Sequence, residues 1–193
     1  MSEPQCHFCP AVDKFRCTSI QEAEGCPGYR GADAQSRLKG DELRSVFATE
    51  EWKWDEDFLL MSERWGQLKS KDPSTKVGAL VVRERVVVGM GYNGFPRGVE
   101  DRPELLADRQ AKYLRVVHAE ANAIIQAGNK CEGATLYASM HPCHECSKLI
   151  IQAGIMRVVF RKSEVPDRWR EMMDVSRSML EEALVEVHEH APE

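Results

Sequence analysis

Two short motifs constrain the fold of this chain more than any other feature: His118-Ala119-Glu120 and Pro142-Cys143-His144-Glu145-Cys146. Cysteines three apart on a helix share a face, so Cys143 and Cys146 can aim both sulfurs at one atom. Pro142 suits the start of a helix. The free N–H groups there stabilise thiolates, the form that binds metal. His118 opens the run HAEANAIIQA, a strong helix former that ends at Gly128-Asn129. A fold that uses both motifs must bring two helix starts together.

His118, Cys143 and Cys146 around a tetrahedral Zn²⁺ leave one position open, as in catalytic sites and unlike closed structural ones. Water at that position becomes acidic near neutral pH. Glu120 lies two residues from a ligand without being one, so it is the expected catalytic proton shuttle. His-x-Glu followed by Pro-Cys-x-x-Cys is the signature of zinc nucleobase deaminases.

The other cysteines bear on the same question. The chain has seven, an odd number, and two pairs are spaced C-x-x-C. Met1 to Pro10 shows neither the basic nor the apolar region of a secretory signal. That combination favours metal ligation over disulfides and a cytoplasmic location. Residues 1–30 hold Cys6, Cys9, Cys17 and Cys26 with too few apolar side chains for a core. Four thiolates closing a tetrahedral shell would supply the folding energy, which predicts a second, structural Zn²⁺ with His7 as an alternative ligand. Cys131 reads as a lone thiol.

Residues 31–50 read as a linker or peripheral segment, and 51–193 as the catalytic domain. Within it, Trp54, Phe58, Leu59, Met61, Trp65 and Leu68 recur at helical spacing between Trp52 and Lys69. Asp72-Pro73 ends that helix. Val77–Val82 and Val86–Met90 read as a hairpin turning at Arg83-Glu84-Arg85. Residues 97–116 suggest a loop with one short helix. Further elements are helices over His118–Ala127, Cys143–Ala153 and Pro166–Glu182, and strands over Ala134–Met140, Arg157–Phe160 and Leu184–His188. The order α-β-β-α-β-α-β-α-β predicts an α/β fold, a mixed sheet with helices on both faces.

Hydrophobic residues make up 42% of the chain and charged residues 30%, an ordinary globular balance. No run of apolar residues is long enough to span a membrane. The net charge of −5 and the lack of a basic-aromatic groove argue against a nucleic-acid partner.

The motifs, taken with four further stretches, carry a family resemblance. They are Ser70-Lys71-Asp72-Pro73-Ser74-Thr75-Lys76-Val77-Gly78-Ala79; Gly91-Tyr92-Asn93-Gly94-Phe95-Pro96; Lys112-Tyr113 with Val117 to Ile124; and Leu149 to Ile155 after the cysteines. Residues 62–160 resemble the deoxycytidylate deaminases, a branch of the zinc-dependent cytidine deaminase superfamily. The resemblance implies a three-layer α/β/α sandwich with a mixed five-stranded sheet, to which residues 1–30 add a small Cys-rich extension. It also implies hydrolysis of dCMP to dUMP and ammonia for thymidylate synthesis. Other implications are a homo-oligomer, often a hexamer, activation by dCTP with Mg²⁺, and inhibition by dTTP.

By the same resemblance Asn93 contacts the sugar, while Val77, Gly78 and Ala119 line the base. An amide can both donate to and accept from a sugar hydroxyl, and glycines at 91 and 94 allow close backbone approach; a plain strand-ending turn is the alternative. The candidates for phosphate contact are Lys69, Lys76 and Arg115, with Arg97, Arg109 and Lys112 nearby. Two rival readings share the zinc site: a polynucleotide deaminase acting on transfer-RNA adenosine or single-stranded DNA cytosine, and a non-catalytic zinc-binding nucleotide sensor.

Overall fold

A computed structural model describes residues 54–163 and 166–191. The Cys6, Cys9, Cys17 and Cys26 cluster and Trp52 lie outside the described residues. Helix α1 covers 54–69. It is followed by strands β1 (Gly78–Arg83) and β2 (Val86–Tyr92), and two short helices, α2 (Pro103–Ala107) and α3 (Arg109–Tyr113). Next come α4 (Ala119–Ala127), β3 (Thr135–Ala138), α5 (His144–Gln152), β4 (Arg157–Arg161), α6 (Asp167–Glu182) and β5 (Glu186–His190).

The sheet order is β2-β1-β3-β4-β5. β1 is antiparallel to both neighbours, whereas β3, β4 and β5 run parallel, so the sheet is mixed. Alternation along the strands sorts the core into two faces. Ala79, Val81, Leu136, Ala138, Val158 and Phe160 pack with residues of α4, α5 and α6. Leu80, Val82, Tyr137 and Val159 pack with Phe58 and Leu59 of α1. This is the three-layer α/β/α sandwich with a five-stranded mixed sheet that the sequence implies.

Glycines set the closest layer contacts. A Cβ on Gly78 would lie 1.9 Å from the Ser62 carbonyl oxygen, so α1 rests directly on β1. A Cβ on Gly91 would lie 1.9 Å from the Ala119 carbonyl oxygen, which seats the first turn of α4 on β2. Gly91 therefore serves helix–strand packing, and the close approach expected there is to α4 and not to a ligand.

Several boundaries differ from the sequence expectation for physical reasons. His118 and Cys143 have extended backbones and cap α4 and α5, so each helix starts one residue later than the motif suggested. Leu184 takes a left-handed φ of 58° and is exposed, which turns the chain and delays β5 to Glu186. Residues 97–116 hold two short helices where one was expected. The α1 stripe is rotated: Met61 and Leu68 are exposed and Trp54 is 41% exposed, while Asp55 and Ser62 are buried.

Asp55 explains part of that rotation. Its carboxylate accepts from both terminal nitrogens of Arg157, at 2.8 and 2.6 Å, and from the Tyr137 hydroxyl at 2.7 Å. Arg161 likewise donates to Glu56 and Glu63 of α1 at 2.8 Å each. A buried carboxylate is tolerable only when paired this completely, and the pairing fixes how α1 lies across β4.

Candidate active site

The site forms where the carboxyl end of β3 meets the starts of α4 and α5. A backbone bridge between Gly94 and Val117 (N···O 2.8 and 3.2 Å) holds the residue before His118 against the loop that leaves β2. Beyond β3 the chain bends away through Ser139 and Met140 and delivers Cys143 as the cap of α5, with Cys146 in its first turn. His118 Nδ1 then lies 3.3 Å from both Cys143 Sγ and Cys146 Sγ.

These distances test whether a metal fits. Tetrahedral Zn–N and Zn–S bonds of ~2.0 and ~2.3 Å put nitrogen and sulfur about 3.5 Å apart. The three donor atoms all lie within 4.8 Å of one another, and neither cysteine forms a disulfide. One ring nitrogen cannot satisfy two sulfurs with a single proton, whereas one cation satisfies all three. The donor set of one imidazole and two thiolates suits Zn²⁺.

The three donors also share protons unevenly among themselves. The Cys143 thiol is lowered to about 4, first by its hydrogen bond from Cys146 and then, against burial, by His118. Cys146 is pushed up by that same bond, by burial and by Glu120. His118 is raised to about 9 by its bond to Cys143. Glu120 is buried, and burial raises its carboxyl above the usual range while His118 pulls it down.

A cavity of about 250 Å³ opens over this cluster. His118, Ala119, Glu120 and Cys143 form one side, and Asp72, Thr75, Val77 and Asn93 form another. The sequence reading missed the apolar remainder: Trp169, Met172 and Met173 of α6, with Tyr113, Val116 and Met140. Three large apolar residues spaced i, i+3, i+4 on an otherwise polar helix were the available signal. His141 also lines the cavity, buried, with Nδ1 2.7 Å from the Pro142 carbonyl and Nε2 without a partner among the described residues. His144 instead faces Glu145 at 3.1 Å.

The structure brings His118, Glu120, Cys143, Val77, Ala119 and Asn93 to this one cavity, with Cys146 Sγ 3.3 Å from His118, but not the other candidates. Gly78 is sealed against α1, its N–H donating to Ser139 Oγ at 3.0 Å. None of Lys69, Lys76 and Arg115 lines the cavity. Lys69 lies 5.2 Å over the Trp65 ring, and Arg115 donates to the Ala111 carbonyl. Lys112 is buried and paired with Asp72. Tyr137 points to the opposite face, toward Asp55.

An imidazole and two thiolates converging beside a buried carboxyl, at the floor of an organic-sized cavity, define a metal-dependent hydrolytic site. Comparison with known proteins narrows the class. Residues 52–162 match the cytidine and deoxycytidylate deaminase zinc-binding region. The chain is 40% identical over 137 residues to an uncharacterized deaminase of Aliivibrio fischeri, covering 70% of this chain and 92% of that one. It is 42% identical over 124 residues to the deoxycytidylate deaminase of Mus musculus, covering 60% and 68%. The crystal structure of the dCMP deaminase from cyanophage S-TIM5 in complex with dCMP and dUMP superposes with a TM-score of 0.55 at 28% identity, covering 70% and 95%. The chain belongs to the zinc-dependent cytidine and deoxycytidylate deaminase family, and it is a hydrolytic enzyme of that family. Among the described residues, no helix is long and apolar enough to cross a membrane.

Proposed function

We propose that this enzyme hydrolyses dCMP to dUMP and ammonia, with Glu120 as the proton shuttle. The observation that carries the reading is the buried Glu120 carboxyl on the wall of the cavity that His118 and Cys143 also line. His118, Cys143 and Cys146 would hold the Zn²⁺. When bound, the ion supplies the acidity that makes water a nucleophile near neutral pH.

Glu120 does the proton work. It takes a proton from the attacking water and gives it to ring N3 as the water oxygen adds to C4. It then passes the water's remaining proton to the exocyclic amine, the C4–N bond breaks, and ammonia leaves while the oxygen stays as the carbonyl of the uracil ring. A carboxyl raised by burial suits both halves of that cycle. Val77 and Ala119 face the base, and Trp169, Met172 and Met173 exclude water from the far side. Asn93 meets the sugar. Lys76 and Arg115, chain neighbours of the wall residues Val77 and Val116, are phosphate candidates that would have to turn inward on binding, as would Lys69.

The family resemblance supports further parts of the proposal: a cytoplasmic homo-oligomer that supplies dUMP for thymidylate synthesis, activated by dCTP with Mg²⁺ and inhibited by dTTP. The spacing of Cys6, Cys9, Cys17 and Cys26 supports a second, structural Zn²⁺ in a separate N-terminal unit. A panel of cytidine, CMP, dCMP, dCTP and cytosine- or adenosine-containing oligonucleotides, assayed for ammonia with and without dCTP and dTTP, tests the reading. The expected outcome is turnover of dCMP at least about tenfold above the rest, a difference of about 1.4 kcal/mol in transition-state binding. Deamination of oligonucleotides without deamination of dCMP would refute it.

A further inference from the structure

Lys112 sits among the exposed charges of the sequence yet is only 5% exposed. Its ammonium donates to Asp72 Oδ1 at 3.0 Å and to Ser74 Oγ at 2.8 Å. Asp72 is also buried. Its Oδ1 accepts in addition from the Ser74 N–H (2.8 Å), the Ser74 hydroxyl (2.9 Å) and the Thr75 N–H (3.1 Å). That oxygen is saturated. Among the described residues, Oδ2 accepts only from Asn93 Nδ2, at 3.4 Å.

Asn93 completes the wall. Its second Nδ2 hydrogen goes to the Thr75 carbonyl at 2.8 Å, and its Oδ1 accepts from the Val77 N–H at 2.8 Å. Both amide hydrogens are therefore spent. A carbonyl oxygen has two lone pairs, so Oδ1 retains one, and Asp72 Oδ2 retains another. The hydrogen-bonding capacity that Asp72 and Asn93 have left is for accepting only. Such a wall takes a ligand group that donates, and it repels a phosphate. On the sugar of dCMP the one donor is the 3′-hydroxyl.

We propose that Lys112 is a positioning residue for substrate recognition: by clamping Asp72 and Ser74 it fixes the 72–75 turn, whose Asp72 Oδ2 and Thr75 carbonyl take both Asn93 amide hydrogens and leave the Asn93 oxygen for the sugar 3′-hydroxyl. The proposal rests on the dCMP reading for the identity of the hydroxyl, but not for the orientation of Asn93. It also accounts for a buried ion pair that joins residues forty positions apart and that plain stability would not require. Replacing such a pair with apolar groups is often neutral, whereas removing one partner leaves a buried charge.

The test compares dCMP with its 3′-deoxy analogue in wild type, Lys112→Met and the double variant Asp72→Asn/Lys112→Met. Wild type is expected to favour dCMP by about 30-fold or more in kcat/KM, as sites built to bind a hydroxyl do. In both variants that preference is expected to fall below about threefold through KM, because a loosened 72–75 turn no longer holds the Thr75 carbonyl and Asp72 against the Asn93 amide. The double variant leaves no orphaned charge, so it stays folded even where the single variant, with a buried carboxylate stranded, unfolds. Zinc content stays that of wild type. An intact 3′-hydroxyl preference in the double variant would overturn the proposal. Side-chain amide exchange of Asn93, followed by NMR, reads the orientation without turnover: slow in wild type and at least about tenfold faster in the double variant, reflecting loss of a protecting hydrogen bond. If wild type turns over neither nucleotide, the dCMP reading fails, and equal exchange rates would still overturn the positioning role separately.

Discussion

Two clusters of buried polar groups, one on each side of the sheet, are handled differently. Where α1 crosses β4 the charges are paired: Asp55 is met by Arg157 and Tyr137, and Arg161 by Glu56 and Glu63. Where α4 and α5 start, the converging groups have fewer partners among the described residues. His118 faces two sulfurs at once, Glu120 is buried with its carboxyl raised, and His141 Nε2 has no partner among the described residues. Saturated networks hold a structure in place. Less saturated ones hold capacity for something that arrives later, which sets the candidate site apart from the α1 network.

The contrast can be broken by substitution. Glu120→Gln should lower kcat by ~10²–10⁴ while keeping zinc, since it removes proton transfer but not a ligand; ammonia release and metal content check this. Arg157→Met should do the reverse. It strands the Asp55 carboxylate and should cost about 3 kcal/mol in denaturant unfolding, with the catalytic constants of the folded enzyme unchanged.

A smaller effect is expected where α6 touches the metal loop. Ser176 Oγ donates to the Pro142 carbonyl at 2.8 Å, and Ser147 Oγ to the Cys143 carbonyl at 3.2 Å, both fully buried. Ser176→Ala should weaken zinc affinity by about tenfold, as supporting bonds to a ligand segment do; competition with a chromophoric chelator measures it. The smallest effect is in acid. Burial raises the Asp72 carboxyl, but bonds from Ser74, Lys112 and Thr75 outweigh it and hold the folded value below normal. Its contribution is therefore complete above about pH 4, the unfolded value, and is lost as pH falls through the lower folded value. The Asp72→Asn/Lys112→Met variant should lack that component of acid destabilisation in a pH series of thermal melts.

The same contrast explains what could be read from the residues alone. The metal cluster and Glu120 were legible because their chemistry requires particular residue types at short spacings. Strands β1 and β2 were legible as β-branched runs. The stripe of α1 was not, because Asp55, Ser62 and Gly66 face inward and their fitness depends on Arg157 and Gly78, far along the chain. Lys112 read only as a nearby candidate for phosphate contact for the same reason: its partner is forty residues away. Trp169, Met172 and Met173 fell within the expected helix over Pro166–Glu182, but nothing at short spacing tied them to the site, which they reach only through the fold.

The central claim is that one ion held by His118, Cys143 and Cys146 works with Glu120. Stripping the enzyme of metal and titrating Zn²⁺ back, while following ammonia release from dCMP, tests it most directly. The account predicts no turnover in the stripped protein, recovery on adding zinc, and no recovery at any zinc level in Cys143→Ser. Full turnover in the stripped enzyme, or recovery in Cys143→Ser equal to wild type, would contradict it.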